Sequence, residues 1–289
     1  MKQVKKKYYS FINWIIPLAK DLYFRFNDDD VPALASQLAY YFILALFPFL
    51  IFLINLISFT PITSEQALND LSKVIPNIAY DIIKKVIDQT SHANRQTFLS
   101  FSMVAALWAA SNGMNAVIKS LNKAYDRHET RSLWKVRLLS IIATIAFAFT
   151  IILSFFLLIL GEVIGKSIFV FLGLSNSFKT LWSCIRFMSP AAIMIIVFAL
   201  LYRYMPNRRM KYSEVLAGSI FSTVGWLIIS VLFSIYVNNF SNYANTYGSI
   251  GGIILLIIWL YWISIIILLG GELNAALAYN RAKRKNKTS

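Results

Sequence analysis

Acidic, histidine and cysteine side chains are scarce in this chain: 13 Asp plus Glu, two His and one Cys in 289 residues. The lone Cys184 allows no intrachain disulfide and no cysteine-based metal site. No HExxH pair, Cys/His cluster, phosphate-cradling glycine loop or Gly-x-Ser-x-Gly elbow is present. Neither a cofactor nor a metal is therefore expected. Charged residues make up only 14% of the chain, against about 25% in an ordinary soluble domain, which excludes a water-soluble globular fold.

What fills the space is apolar. Hydrophobic residues reach 58%, and the mean hydropathy is +0.61. They gather in six stretches, at 33–59, 98–122, 138–160, 181–204, 213–237 and 249–278. Each reaches the roughly 20 residues that cross a ~30 Å hydrocarbon layer as a helix. Lipid offers no partner to backbone N–H and C=O groups, so each stretch must satisfy them internally. The expected fold is an all-α polytopic membrane protein with six transmembrane helices. Its organisation reads as a basic, interfacial segment over 1–30, a membrane domain over 31–280 and a basic tail over 281–289.

The net charge of +15 is distributed unevenly. Of the 28 Lys and Arg, 20 lie in the N-terminal region, the 123–137 and 203–211 connections and the tail, and six lie in the three alternating connections. That asymmetry predicts that both termini lie in the cytoplasm. The charge serves orientation and attraction to anionic lipid. No separable basic groove with interleaved aromatics points to nucleic acid. No cleavable signal peptide is expected, because the basic start leads into an interrupted amphipathic segment.

Residues 8–26 mix aromatics with Lys20, Asp21 and Arg25, the pattern of an interfacial helix. Asp28, Asp29 and Asp30 precede Pro32 and read as a helix cap. The long external connection at 61–97 carries apolar residues at helical spacing, broken by Pro76, and predicts two short amphipathic helices. A similar amphipathic pattern occupies 161–180.

Within the spans, polar residues need an explanation. Trp108, Asn112, Asn115, Lys119 and Asn122 follow steps of 4, 3, 4 and 3 and share one helix face. Such a stripe should meet protein or water, although Lys119, a turn from the helix end, could instead snorkel to the interface. Glu272 lies at a comparable depth in the last span, which predicts a Lys119–Glu272 pair. Arg186 could meet a lipid phosphate or Glu162. Gln37, Tyr40 and Tyr41 give the first span a polar, aromatic half, and Pro48 and Pro190 mark expected kinks. Gly248, Gly251, Gly252, Gly270 and Gly271 read first as sites of close helix packing.

Four segments, AYYFILALFPFL (39–50), ASNGMNAVIKSLNKAY (110–125), YRYMPNRR (202–209) and the long run 247–275, resemble the YihY/BrkB family of bacterial inner-membrane proteins. The resemblance implies a six-helix membrane protein whose relatives have carried the labels virulence factor and ribonuclease BN, and some of which are linked to lipid movement. Hydrolysis of RNA would want a held metal or a histidine acid–base pair, yet His92 and His128 are predicted on opposite sides of the membrane. A non-enzymatic transporter of a lipid or other amphiphilic anion fits the residues better. The alternative is a scaffold or accessory subunit whose polar stripe meets a second copy or another envelope protein. Membrane lipids are the expected partners.

Overall fold

A computed structural model describes residues 16–58, 95–150, 175–208, 210–239 and 249–288, the side chains of 47–58, 95–99, 102, 175–187, 238–239, 249–250 and 284–288 excepted. Among these residues there are helices and turns and no strand. In chain order the helices are α1 (16–28), α2 (Val31–Ser58), α3 (Arg95–Ala124), α4 (Leu133–Thr150), α5 (Ser175–Tyr204), α6 (Tyr212–Asn239) and α7 (Ser249–Thr288). A helix thus occupies each of the six apolar stretches. By length and composition α4, α6 and α7 are able to cross a membrane, and α2 and α5 carry shorter apolar segments, Val31–Leu46 and Met188–Tyr204. The chain is an all-helical polytopic membrane protein. The predicted amphipathic helices at 61–97 lie outside the described residues apart from 95–97, which open α3, and those at 161–180 apart from 175–180, which open α5.

The chain divides into two compact units. The smaller is 40–113, and the larger combines 1–39 with 114–289. In the smaller unit Gly113 lies against Tyr41 and Phe42, so a Cβ there would meet Tyr41 at 3.5 Å. Tyr40 and Tyr41 make an edge-on ring contact at 5.5 Å.

In the larger unit α6 packs against both α5 and α7. Its polarity is inside out. Ser219, Ser222 and Thr223 are buried, while Leu216, Ile220, Val224, Leu227, Ile228 and Val231 are exposed. In water that arrangement would be unstable, whereas lipid solvates the outer face and small residues let helices approach closely. Ser219 and Thr223 donate back to the carbonyls of Val215 and Ser219, which satisfies their hydroxyls within the helix.

The closest approach is between α6 and α7. A Cβ on Gly218 would overlap the Gly270 carbonyl oxygen, and one on Gly270 would overlap Ser222 Oγ and Tyr202 OH. Tyr202, fully buried, reaches across from α5 to donate to the Ile267 carbonyl at 2.6 Å and share a 2.6 Å hydrogen bond with Ser222. Asn274 Oδ1 accepts from the Gly218 N–H at 2.7 Å. Three helices are therefore joined by polar contacts that lipid cannot compete for.

Two short connections dock on one another. Asn122, at the end of α3, donates to Glu129 at 2.8 Å and accepts from the Asn207 N–H at 2.6 Å. The Asn207 amide donates in turn to the His128 carbonyl and Thr130 Oγ1. Arg131 grips Glu129 at 2.7 Å and the Met205 carbonyl at 2.9 Å. The Arg131 hydrogen bonds hold the Glu129 carboxyl down at about 2, against 4.5 ordinarily. Because the folded value is the lower one, the ionised carboxylate stabilises the fold above pH 4.5, and that contribution is lost as pH falls toward 2. Glu129→Gln should thus cost about 0.5–1 kcal/mol at pH 7, modest because the pair is partly solvated. In detergent melts the gap from the parent should narrow below pH 4.5 and close near pH 2; a gap independent of pH would contradict the assignment.

The last helix carries on through the basic residues that follow the apolar run. α7 runs unbroken to Thr288, because no Gly or Pro follows Gly271 and the Ala, Lys and Arg that do are strong helix formers.

Candidate functional site

The end of the larger unit that carries the 125–132 and 205–211 connections also gathers charge. α1 ends with Asp30 at a φ of 51°, after which the Asp30 carbonyl accepts from Leu34 to open α2. Asp30 is thus the pivot between two helices, and its side chain pairs with Lys123 at 3.2 Å. α3 stops in the same way. Asp126 has a φ of 51°, with Arg127 N–H bonded to the Asn122 carbonyl and Asp126 N–H to that of Lys123, the double closure of a Schellman motif.

Asp29 is not a cap. It turns inward, 8% exposed, to within hydrogen-bonding reach of Glu272, itself 2% exposed on α7. Two carboxyls can share a hydrogen bond only if one of them keeps a proton. Burial pushes the Asp29 carboxyl up from its ordinary 3.8; the Glu272 hydrogen bond and then the Lys123 charge act against that shift. Among the described residues the cation paired with Glu272 is Arg25 of α1, with Nη1 at 3.8 Å from Oε2 and at 3.3 Å from the Ala124 carbonyl.

This geometry corrects the expected Lys119–Glu272 pair. From residue 116 to 125 α3 is buried almost all round, and only Lys119 is exposed, with Lys123 half-buried one turn later. Lys119 stands exposed on α3, and α1 supplies the guanidinium beside Glu272 instead. Glu272 Oε2 and Tyr125 OH are buried without a protein hydrogen-bond partner, while Arg25 Nε faces Asp21 Oδ1 at 3.4 Å. Tyr125 is near enough to Glu272 to feel its charge, and burial pushes its phenol well above the ordinary 10.

The other sequence candidates are scattered. Asn112 and Asn115 are half-buried, Asn122 is buried in the connection staple, and Gln37 is exposed. Tyr41 belongs to the smaller unit. The Arg186 side chain and Gly248 lie outside the described residues. Gly251 is buried; a Cβ on Gly252 would meet nothing within 4 Å, and one on Gly271 would overlap Leu121. Sequence reading missed Asp29 and Arg25 as site residues, because DDD before Pro32 reads as a cap and Arg25 as an interfacial cation. Among the described residues no three His, Cys, Asp or Glu are grouped to hold a metal.

Fold and site together define a polytopic helical membrane protein with a buried carboxyl pair at its basic end. The family described as Virulence factor BrkB matches residues 22–289, and the chain belongs to it. It is 43% identical over 258 residues, covering 89% of this chain and 94% of the other, to a protein of Bacillus subtilis named putative ribonuclease-like protein YfkH. It is 26% identical over 280 residues to a UPF0761 membrane protein of Alteromonas mediterranea, covering 93% of this chain and 91% of the other. A UPF0761 membrane protein of Cronobacter sakazakii is 25% identical over 294 residues, covering 99% and 96%. No solved structure matches.

Proposed function

We propose that this protein moves an amphiphilic anion of the phospholipid type across or within the bacterial cytoplasmic membrane, with both termini and the basic connections on the cytoplasmic side, and that it performs no enzymatic step. The observation that carries the reading is the half-satisfied cluster of Arg25, Asp29, Glu272 and Tyr125. Charged groups buried at the end of a membrane helix cost stability unless fully paired, and where they persist they mark ion or substrate paths. The shared proton of Asp29 and Glu272 supplies a group that can load and unload as an anion passes, which suits a proton gradient as the energy source. The ribonuclease-like name of the Bacillus relative is not carried over, since RNA hydrolysis would want a held metal or a histidine acid–base pair, and the two histidines, His92 and His128, are predicted on opposite sides of the membrane.

The test is leaflet exchange of tail-labelled phosphatidylglycerol in proteoliposomes, with and without a pH gradient. Exchange above protein-free vesicles is expected, falling at least tenfold in folded Glu272→Gln. Absence of exchange across a panel of anionic lipids would turn the reading toward an accessory subunit, for which the Tyr202 and Asn274 contacts would be helix adhesive alone.

A further inference from the structure

Two cavities of the larger unit meet at one residue. The first is a recess of about 440 Å³ at the turn between α5 and α6, lined by Arg203, Tyr204, Pro206, Asn207, Arg208 and Met210. Its guanidiniums are held by rings and not by acids. Arg203 lies 3.7 Å above the Tyr212 ring centroid, and Arg208 lies 5.9 Å from that of Tyr125. Among the described residues neither forms an ion pair with a carboxylate, whereas Arg25 and Arg131 each do. Aromatic stacking orients a guanidinium while leaving its N–H fork able to grip an oxyanion.

The second cavity, about 330 Å³, is a groove between α4 and α5 whose walls are nearly all apolar, among them Ile142, Ala146, Phe147, Val197 and Leu200. Tyr204 lines both cavities, and Met205 of the groove is followed by Pro206 of the recess. Along α4 the groove runs from Leu139 to Thr150, which at 1.5 Å per residue is ~16 Å. That is about one leaflet of a ~30 Å hydrocarbon core.

The geometry points to a built site for one anionic glycerophospholipid, its phosphate in the Arg203–Arg208 recess and an acyl chain in the α4–α5 groove. A cationic recess opening at the end of an apolar channel one leaflet long matches an amphiphile in charge, polarity and length. A free phosphate would use only the recess, and a peptide would leave a leaflet-length apolar groove facing lipid. The site rests on the lipid-anion reading for its meaning in transport, but binding is measurable without transport. It names the substrate class and separates lipid recognition, at Arg203 and Arg208, from the carboxyl pair at Glu272.

The test is native mass spectrometry of the full chain in detergent, titrated with phosphatidylglycerol, phosphatidylethanolamine or inorganic phosphate. One phosphatidylglycerol should bind in preference to phosphatidylethanolamine. Arg208→Gln should weaken it about tenfold, the value of one charge-assisted contact near 1.4 kcal/mol. Ala146→Phe, which fills the groove from an exposed position, should weaken it comparably while the melting temperature stays at the parent value. Parental affinity in both folded variants, or inorganic phosphate competing as well as the lipid, would overturn the site. Lipid binding that obeys these variants in a protein showing no leaflet exchange would retain the site and remove the transport reading.

Discussion

Gly218→Ala should cost a large share of the stability of the larger unit, and Gly270→Ala should come close to it. Alanine is normally the better helix residue by about 1 kcal/mol, so any loss must come from packing. At Gly218 the added methyl would overlap the Gly270 carbonyl oxygen, a backbone atom that cannot rotate aside. Relief requires α6 and α7 to separate, and with them go the Gly218–Asn274 hydrogen bond and the hold of Tyr202 on Ser222 and Ile267. Overpacking of about 1–3 kcal/mol combines with one or two buried polar groups left unpaired at about 1–3 kcal/mol each. A total near 4 kcal/mol is a large share of a net stability of about 5–15 kcal/mol. The measurement is the melting temperature and folded yield in mild detergent. The double variant should cost far less than the sum, since once the helices part the second methyl has nothing left to break. Gly252→Ala is the control. Its Cβ would enter open space, so stability should hold or rise slightly. Equal losses at 218 and 252 would show that the close approach is not what these glycines serve.

That contrast also marks how far the amino-acid sequence could be read. Six apolar stretches located the helices, because hydrocarbon thickness fixes a minimum length and leaves the backbone no alternative. The end of the last helix was less legible. A rise in Lys and Arg looks like a tail leaving the membrane, but it does not break a helix, and α7 continues to Thr288. Glycines in GG pairs look alike in sequence. Only the partner surface tells Gly270, pressed on α6, from Gly252, which faces nothing. Glu272 was legible as a buried carboxyl needing company, since few membrane helices tolerate one. Its company was not. Depth along the membrane selected Lys119, whereas the chain folds α1 back so that Arg25 and Asp29 reach α7. A contact between residues almost 250 positions apart leaves no periodic trace, and DDD before a proline has a sufficient local explanation as a cap.

Arg25→Ala tests that contact most directly, and it should destabilise the protein in proportion to the charge left behind. Arg25 pairs with Glu272 at 3.8 Å, and it also donates to the Ala124 carbonyl that ends α3. Removing one partner of a buried pair typically costs about 3–5 kcal/mol, because the other charge stays behind uncompensated. Here the loss should sit toward the lower end, since the carboxyl pair can take up a proton. Glu272→Gln alone should be close to neutral: it deletes the pair but also the repulsion between Glu272 and Asp29, and the amide can still donate to the Asp29 carboxylate. Arg25→Ala in the Glu272→Gln background should therefore recover most of the loss. The pH dependence has a definite sign. Burial raises the Asp29 carboxyl above its ordinary 3.8, so its protonated form contributes stability that is complete below pH 3.8 and lost as pH rises through the folded value. Arg25→Ala takes away a positive charge that opposes this shift, and its penalty should grow as pH rises above 3.8. A cost that stays flat with pH and survives Glu272→Gln would assign Arg25 to capping α3 through Ala124, and would detach the carboxyl pair from α1.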